Sequence, residues 1–157
     1  MNKQTRQRIK ESVMAALKQG RAMPEHAIPI YTPSEGSANS ITQTVIKFLK
    51  AEGWQAERIS TTGRYIQGER YTDVLGHTRE MKGQWIPGTS TRGSADISAT
   101  IRGRSVKIEV KYGRDKQSEH QREYQEAIER AGGVYWIVKD LDMFLELYDN
   151  LINTTKL

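Results

Sequence analysis

The sequence contains no cysteine, which excludes disulfide bonds, zinc sites built on thiolates and cysteine nucleophiles. It also lacks any stretch of about 18 apolar residues that could cross a bilayer. Its first segment, MNKQTRQRIKESVMAALKQG, is too charged for a secretory signal. We therefore expect a soluble, cytoplasmic protein with no membrane partner.

Charge is the most informative feature of the composition. The 157 residues include 24 Lys and Arg against 19 Asp and Glu, which gives a net charge of +5 and an isoelectric point near 9.5. This balance favours a polyanionic partner such as a nucleic acid, although a basic surface that merely keeps the protein soluble would give the same numbers. The length is that of a single domain.

The chain divides into an N-terminal segment and a folded domain. Residues 3–19 place apolar side chains at helical spacing between basic ones, which predicts an amphipathic basic helix. Three prolines punctuate residues 21–36, which predicts a linker. We therefore assign residues 1–36 to a basic helix and linker that extend from a domain formed by residues 37–157.

Hydrophobic periodicity predicts the elements of this domain. Their order is α-β-β-β-α-β-α, and their approximate ranges are 39–52, 54–60, 96–101, 104–111, 118–131, 134–139 and 141–151. This order predicts an α/β fold with a mixed central sheet flanked by helices, in addition to the N-terminal helix. Residues 61–93 are polar and glycine-rich, and we expect them to form a long loop.

The segment GSADISATIRGRSVKIEVK, residues 93–111, predicts two strands joined by an Arg-Gly-Arg turn. Side chains alternate along a strand, so Glu109 and Lys111 share one face. A connection of two or four residues places Asp96 directly opposite Glu109, and on the same face. A three-residue connection would instead shift the register by one residue and separate the two acids.

Two acids at directly opposed positions repel each other, because their Cβ atoms lie roughly 5 Å apart. A hard divalent cation would reverse the sign of this interaction, since Mg²⁺ is commonly held by one or two carboxylates and substrate phosphates. Lys111 lies on the same face and is placed to orient a metal-activated water or to offset negative charge. The alternative is an exposed charged edge at which Lys111 screens the two acids.

An acid on one strand and Glu-x-Lys on the next, within α-β-β-β-α-β, resemble the PD-(D/E)XK nuclease superfamily. The stretches GSAD, GRSVKIEVKYG and SEHQREYQEAIERAGGVYWIV are more narrowly similar to the virus-type replication-repair nuclease (VRR-NUC) domain and to Holliday junction resolvase-like nucleases. The similarity covers residues 37–148 and is most specific over residues 93–139. It implies a restriction-endonuclease-like core.

The resemblance implies an Mg²⁺- or Mn²⁺-dependent endonuclease that hydrolyses DNA phosphodiester bonds as a homodimer. It further implies selectivity for branched or junction DNA in replication, recombination or repair, and it is compatible with a phage or mobile-element origin. By position, Asp96, Glu109 and the carbonyl of Val110 would bind the metal. Lys111 would act on the nucleophilic water, and Gln121 would be an accessory catalytic residue.

The sequence departs from the family pattern in two places. Ala95 stands where the name of the motif has proline, and the helix before the first strand lacks the usual glutamate. Glu35 and Asn39 are the candidates for the metal ligand that this glutamate would supply.

Candidates for contacts with DNA come from the long loop and the hairpin turn. They are Lys82, Trp85, Arg92, Arg102 and Arg104. Two other functions stay open at this point. One is a nuclease-fold protein with weakened catalysis that binds DNA as an accessory factor, and the other is a sequence-specific endonuclease of the restriction type.

Overall fold

A computed structural model describes residues 1–19, 24–60, 63–72, 74–86, 88 and 91–154 of the chain. The helices are α1 (Lys3–Gln19), α2 (Ala38–Ala51), α3 (Glu119–Arg130) and α4 (Leu141–Thr154), with a 3-10 turn at Glu25–Ala27. The strands are β1 (Gln55–Arg58), β2 (Arg64–Ile66), β3 (Arg70–Thr72), β4 (Thr78–Glu80), β5 (Gln84–Ile86), β6 (Ile97–Ile101), β7 (Arg104–Val110) and β8 (Val134–Val138). No helix in these described ranges is long and apolar enough to cross a membrane.

The central sheet has the strand order β1-β6-β7-β8. β6 is antiparallel to both β1 and β7, whereas β8 runs parallel to β7. A parallel pair needs a long crossover connection, and α3 provides it. The prediction of an α/β fold with a mixed central sheet flanked by helices is confirmed.

One face of the sheet carries the main core. Phe48 of α2 and Phe144 of α4 meet edge to face on this side, with ring centroids 5.7 Å apart. Ile9 and Val13 of α1 are buried in the same cluster. The helix that the sequence predicts as an extension of the domain therefore packs into the common core, because its apolar face lies against α2 and α4.

A bidentate ion pair also joins α1 to α4. The guanidinium of Arg8 donates to both carboxylate oxygens of Asp149, at 2.6 and 2.7 Å. This geometry is the strongest that an arginine–carboxylate pair can adopt. It connects the first helix of the chain to the last one.

The second face of the sheet is only partly covered. α3 lies over β8, where the rings of Tyr124 and Tyr135 have centroids 6.3 Å apart. Farther from α3, Gln55, Glu57 and Thr100 are exposed on the same face. The uncovered part of the sheet is therefore polar and open beside α3.

Residues 63–72 and 74–86, which we call the arm, form a two-stranded structure where the sequence predicts an open loop over 61–93. β2 pairs with β5 and β3 pairs with β4, both antiparallel and in one continuous register. Each strand has three residues, too few for an alternating pattern to identify it. Residues 61, 62, 73, 87, 89 and 90 of the predicted loop lie outside the described residues.

Candidate functional site

The β6–β7 hairpin brings the two predicted acids together. Its strands are joined by two residues with φ of 49° and 75°, the type I′ combination that suits the twist of a tight hairpin. Ile97 pairs with Ile108. One step farther along this register Asp96 faces Glu109, so the predicted register is confirmed. We call these two residues the acid pair.

Asp96 is half-buried at the start of β6 and is held from both sides. Its Oδ2 accepts a hydrogen bond from the N–H of Val110 at 2.9 Å. Its backbone carbonyl accepts one from the N–H of Ile59 at 2.8 Å, just beyond β1. The position of the carboxylate is therefore fixed relative to the end of β7.

Glu109 is 3% exposed, and its two carboxylate oxygens differ. Oε1 accepts hydrogen bonds from Lys111 Nζ, at 2.9 Å, and from Gln121 Nε2. Oε2 is buried and has no hydrogen-bond partner in the described part of the chain. Burial raises the pKa of Glu109 above its usual value; Lys111 opposes this shift, and the charge of Asp96 adds to it.

Lys111 is 6% exposed and its ammonium group is held by several acceptors. Besides its contact with Glu109, Nζ donates to Oε1 of Gln121 at 2.9 Å and lies 3.8 Å from Oδ2 of Asp115. The side-chain amide of Gln121 therefore bridges the lysine and the glutamate of the Glu-x-Lys motif.

The first turn of α3 fixes the position of Gln121. Ser118 caps the helix by accepting from the Gln121 N–H at 3.3 Å, and Gln121 Oε1 accepts in return from the Ser118 N–H at 2.9 Å. Gly93, with φ of 81°, lies directly against this turn, and a Cβ atom there would overlap the carbonyl of His120. The chain entering β6 and the helix that carries Gln121 are thus in close contact.

The carbonyl group of Val110 points toward the strand that carries Asp96. The N–H of Lys111 donates to the carbonyl of Val138 in β8 at 2.9 Å. In a trans peptide group the C=O and the N–H point in opposite directions. The Val110 carbonyl, which shares its peptide group with the Lys111 N–H, therefore points away from β8 and toward β6.

Glu35 and Asn39 form hydrogen bonds with residues outside the acid pair. Glu35 accepts from the N–H of Leu141 at 3.3 Å, at the start of α4, and pairs with the amino group of Met1. Asn39 is exposed, and its Oδ1 accepts from Arg58 at 2.6 Å. Within the described ranges, no three Asp, Glu, His or Cys residues come together as a metal site.

The residues predicted to contact DNA are distributed over three regions. Arg92 is exposed beside the first turn of α3, close to the acid pair. Arg102 and Arg104 are exposed at the hairpin turn, roughly 17 Å along the strand from the acid pair. Lys82 and Trp85 are exposed on the arm. The structure therefore places cations at both ends of the hairpin and a separate group on the arm.

Comparisons with known proteins add no relative. No protein-family model matches the chain, and no curated protein matches it. Any functional inference therefore rests on the geometry of the acid pair and its surroundings.

Two neighbours of the acid pair are not among the site residues that the sequence predicts. Lys107 donates to Oγ of Ser98 at 2.6 Å, directly across the hairpin and one same-face position from the acids. Tyr135 of β8 pairs with Lys107, and burial together with the charge of Glu109 raises the pKa of its hydroxyl group. Strand alternation alone could have placed Lys107 there, but Tyr135 lies in an apolar run whose facing residues the sequence does not define.

The oxygen atoms at the acid pair are of the type that a hard divalent cation prefers as ligands. They are the carboxylate of Asp96, the unpartnered Oε2 of Glu109 and the carbonyl of Val110. Magnesium requires only one or two carboxylates from a protein when water and substrate phosphates complete its coordination. Lys111 brings one positive charge to Glu109, which is fewer than the two negative charges of the ionised acid pair.

Proposed function

We propose that the chain is a divalent-metal-dependent nuclease that hydrolyses phosphodiester bonds in DNA, on a restriction-endonuclease-like core. The observation that carries this proposal is the buried Oε2 of Glu109, which has no hydrogen-bond partner among the described residues and belongs to the residue opposite Asp96. A buried acceptor without a partner costs roughly 1–3 kcal/mol of stability. A bound cation would supply the missing partner and remove the repulsion between the two acids.

The chemistry follows from the residues around the acid pair. A cation held by the two carboxylates and the Val110 carbonyl would polarise a phosphodiester and lower the pKa of a bound water. Lys111 can donate a hydrogen bond to the attacking water or to a phosphate oxygen, and its charge stabilises the negative charge that develops on phosphorus oxygens. Gln121 contacts both Lys111 and Glu109, and we assign it the role of positioning them.

DNA as the substrate is supported by charge. The net charge of the chain is +5. Exposed cations lie at both ends of the β6–β7 hairpin, with Arg92 near the acid pair and Arg102 and Arg104 at the turn. A strand of DNA that crosses the open polar face of the sheet would meet phosphate-binding groups before and after the site of hydrolysis.

A cleavage assay tests this proposal. We expect cutting of DNA only with Mg²⁺ or Mn²⁺, and a loss of about 100-fold or more in Asp96→Ala, Glu109→Ala and Lys111→Ala. Lys50→Ala and Glu146→Ala remove exposed charges from α2 and α4, which pack on the opposite face of the sheet, and they serve as matched controls that keep activity. Linear duplex, single-stranded, flapped and four-way-junction DNA should be compared, with preference for the branched forms. Unchanged cutting by the three site variants, or cutting in a chelator, would refute the assignment.

One observation favours a second candidate function, a nuclease-fold protein that binds DNA without cutting it. Within the described residues no third acid joins the acid pair to form a metal site, and Glu35 is engaged at the start of α4. Such a protein would bind the same DNA panel and cut none of it with either metal. An enzyme of the restriction type would instead produce discrete fragments from linear duplex DNA.

A further inference from the structure

The arm has an aromatic face. Directly opposed residues of a ribbon share a face, and so do residues separated by an even number along a strand. Tyr65 is opposed to Trp85, and Tyr71 is opposed to Arg79. The exposed fraction is 62% for Tyr65, 58% for Trp85 and 49% for Tyr71. Because Tyr65 and Tyr71 are six residues apart, all three lie on the same face of the arm.

Glycines leave room for these rings on the ribbon. A Cβ atom on Gly83 would overlap the ring and hydroxyl group of Tyr65. A Cβ atom on Gly63 would come within 2.7 Å of the ring of Trp85. The two glycines therefore let the rings lie close to the backbone while one side of each remains open to solvent.

A cavity of about 590 Å³ lies next to the first of these rings. Its lining includes Tyr65, Gln67, Met81 and Lys82. This volume lies within the range of small-ligand sites and can admit a planar base beside the tyrosine ring. Strand alternation assigns Lys82 to the opposite face of the ribbon, but it also lines this cavity and so places a positive charge at the edge of the arm beside Tyr65.

Polar side chains interrupt the aromatic face. Gln67 and Glu69 lie between Tyr65 and Tyr71, which are about 20 Å apart along the strand. A dry interface with a second protein would need a more continuous apolar surface. On the other face of the arm, Arg70 and Glu80 form an ion pair of 3.5 Å and cancel each other's charge. The rings are therefore spaced along the face as separate platforms, which suits a ligand that carries several separate planar groups.

We propose that the aromatic face of the arm binds unpaired DNA, with bases stacked on Tyr65, Trp85 and Tyr71 and phosphates near Arg79 and Lys82. This inference rests on the proposed nuclease function and names its substrate class more closely. The arm would hold the single strand of a flap or an open junction, while the acid pair acts on the same molecule. Stacking on aromatic side chains accepts any base, so the arm would select structure and not sequence.

Binding without metal tests the arm separately from catalysis. The full chain with Asp96→Ala, in a chelator, is titrated with a fluorescently labelled oligo(dT) and, separately, with a duplex. Tyr65→Ala, Trp85→Ala and Tyr71→Ala are each expected to weaken oligo(dT) binding about tenfold. Ile66→Ala and Thr72→Ala, on the opposite face of the same ribbon, are matched controls and leave the Kd unchanged. Because every one of these residues is exposed, the melting temperature should not move.

Two further measurements sharpen the test. Trp54 and Trp136 are partly or fully buried, so base stacking on the exposed Trp85 should quench tryptophan fluorescence in the parent and not in Trp85→Ala. Gly83→Ala places a methyl group under the Tyr65 ring and should weaken binding while keeping that ring.

Three outcomes would overturn the arm proposal. The first is an equal effect of substitutions on the two faces, and the second is oligo(dT) binding that none of them changes. The third is a change from dimer to monomer in sedimentation without a change in DNA affinity, which would assign the aromatic face to a second copy of the chain. Failure of cleavage alone would refute the nuclease proposal and leave the binding result intact.

Discussion

The two oxygens of the Glu109 carboxylate have different surroundings. Oε1 accepts from Lys111 and Gln121, whereas Oε2 is buried without a partner among the described residues. Burial, reinforced by the charge of Asp96, keeps the pKa of Glu109 above its ordinary value despite the nearby lysine. The ionised form of Glu109 is therefore disfavoured in the metal-free fold, and a bound cation would favour the ionised form instead.

This raised pKa predicts how stability depends on pH. In the absence of divalent metal, we expect the free energy of unfolding of the parent, relative to Glu109→Gln, to increase as the pH falls from 7 toward about 5. A carboxyl group with a raised pKa in the folded state binds its proton more tightly there. Its stabilising contribution is complete below the pKa of the unfolded chain and is lost as the pH rises through the folded pKa.

Urea denaturation of both proteins at several pH values measures this difference. Saturating Mg²⁺ is the control, because a cation stabilises the ionised carboxylate and should reduce or reverse the trend. If the difference in free energy of unfolding between the parent and Glu109→Gln did not change with pH, either with or without Mg²⁺, the proposed destabilisation of ionised Glu109 would be wrong.

At the scale of elements, the contact between the loop before β6 and the start of α3 connects the two halves of the site. Gly93 and Gly103 both have positive φ, 81° and 75°. Their surroundings differ, since Gly93 lies against the carbonyl of His120 and a Cβ atom on Gly103 would meet nothing within 4 Å. Substitutions at these two glycines therefore distinguish the effect of an unfavourable backbone conformation from the effect of steric crowding.

We predict that Gly93→Ala is more destabilising than Gly103→Ala. Both substitutions force a side chain into the left-handed region, at about 1–2 kcal/mol. Only Gly93→Ala must also displace the first turn of α3, which carries Gln121, so only this variant should lose cleavage activity. Chemical denaturation and single-turnover cleavage rates measure the two effects. Equal losses in both variants would show that the contact with His120 has no role.

The predictability of the site from the sequence also differs between elements. The pairing of Asp96 with Glu109 follows from local rules, because a two-residue turn and strand alternation fix it within the hairpin. The placement of Glu35 depends on Leu141, which is 106 residues away, and no local pattern encodes that contact. The arm escapes prediction for a different reason, since each of its strands has only three residues and glycines lie between them.

At the scale of the whole molecule, α1 belongs to the core instead of extending from it. Ile9 is completely buried among residues of α2 and α4. We predict that Ile9→Ala lowers the free energy of unfolding by about 3 kcal/mol and keeps a single cooperative transition. Gln4→Ala, an exposed position on the same helix, is the control and should change stability little. If Ile9→Ala left the free energy of unfolding of the domain unchanged, α1 would fold as a separate unit.

The two-residue turn of the β6–β7 hairpin also has a consequence for the order of folding. Hairpins with short turns form within about 1–10 μs, whereas contacts between distant segments carry a larger entropic cost of closure. The ion pair between Arg8 and Asp149 closes a separation of 141 residues, and β8 can join β7 only after the α3 crossover. Forming the hairpin therefore costs less chain entropy than these long-range contacts do, and we expect it to form first. It then brings Asp96 and Glu109 together before α3 can supply Gln121. We expect electrostatic repulsion between the two acids to slow that early step, so a divalent cation would act on the rate of folding as well as on the finished site.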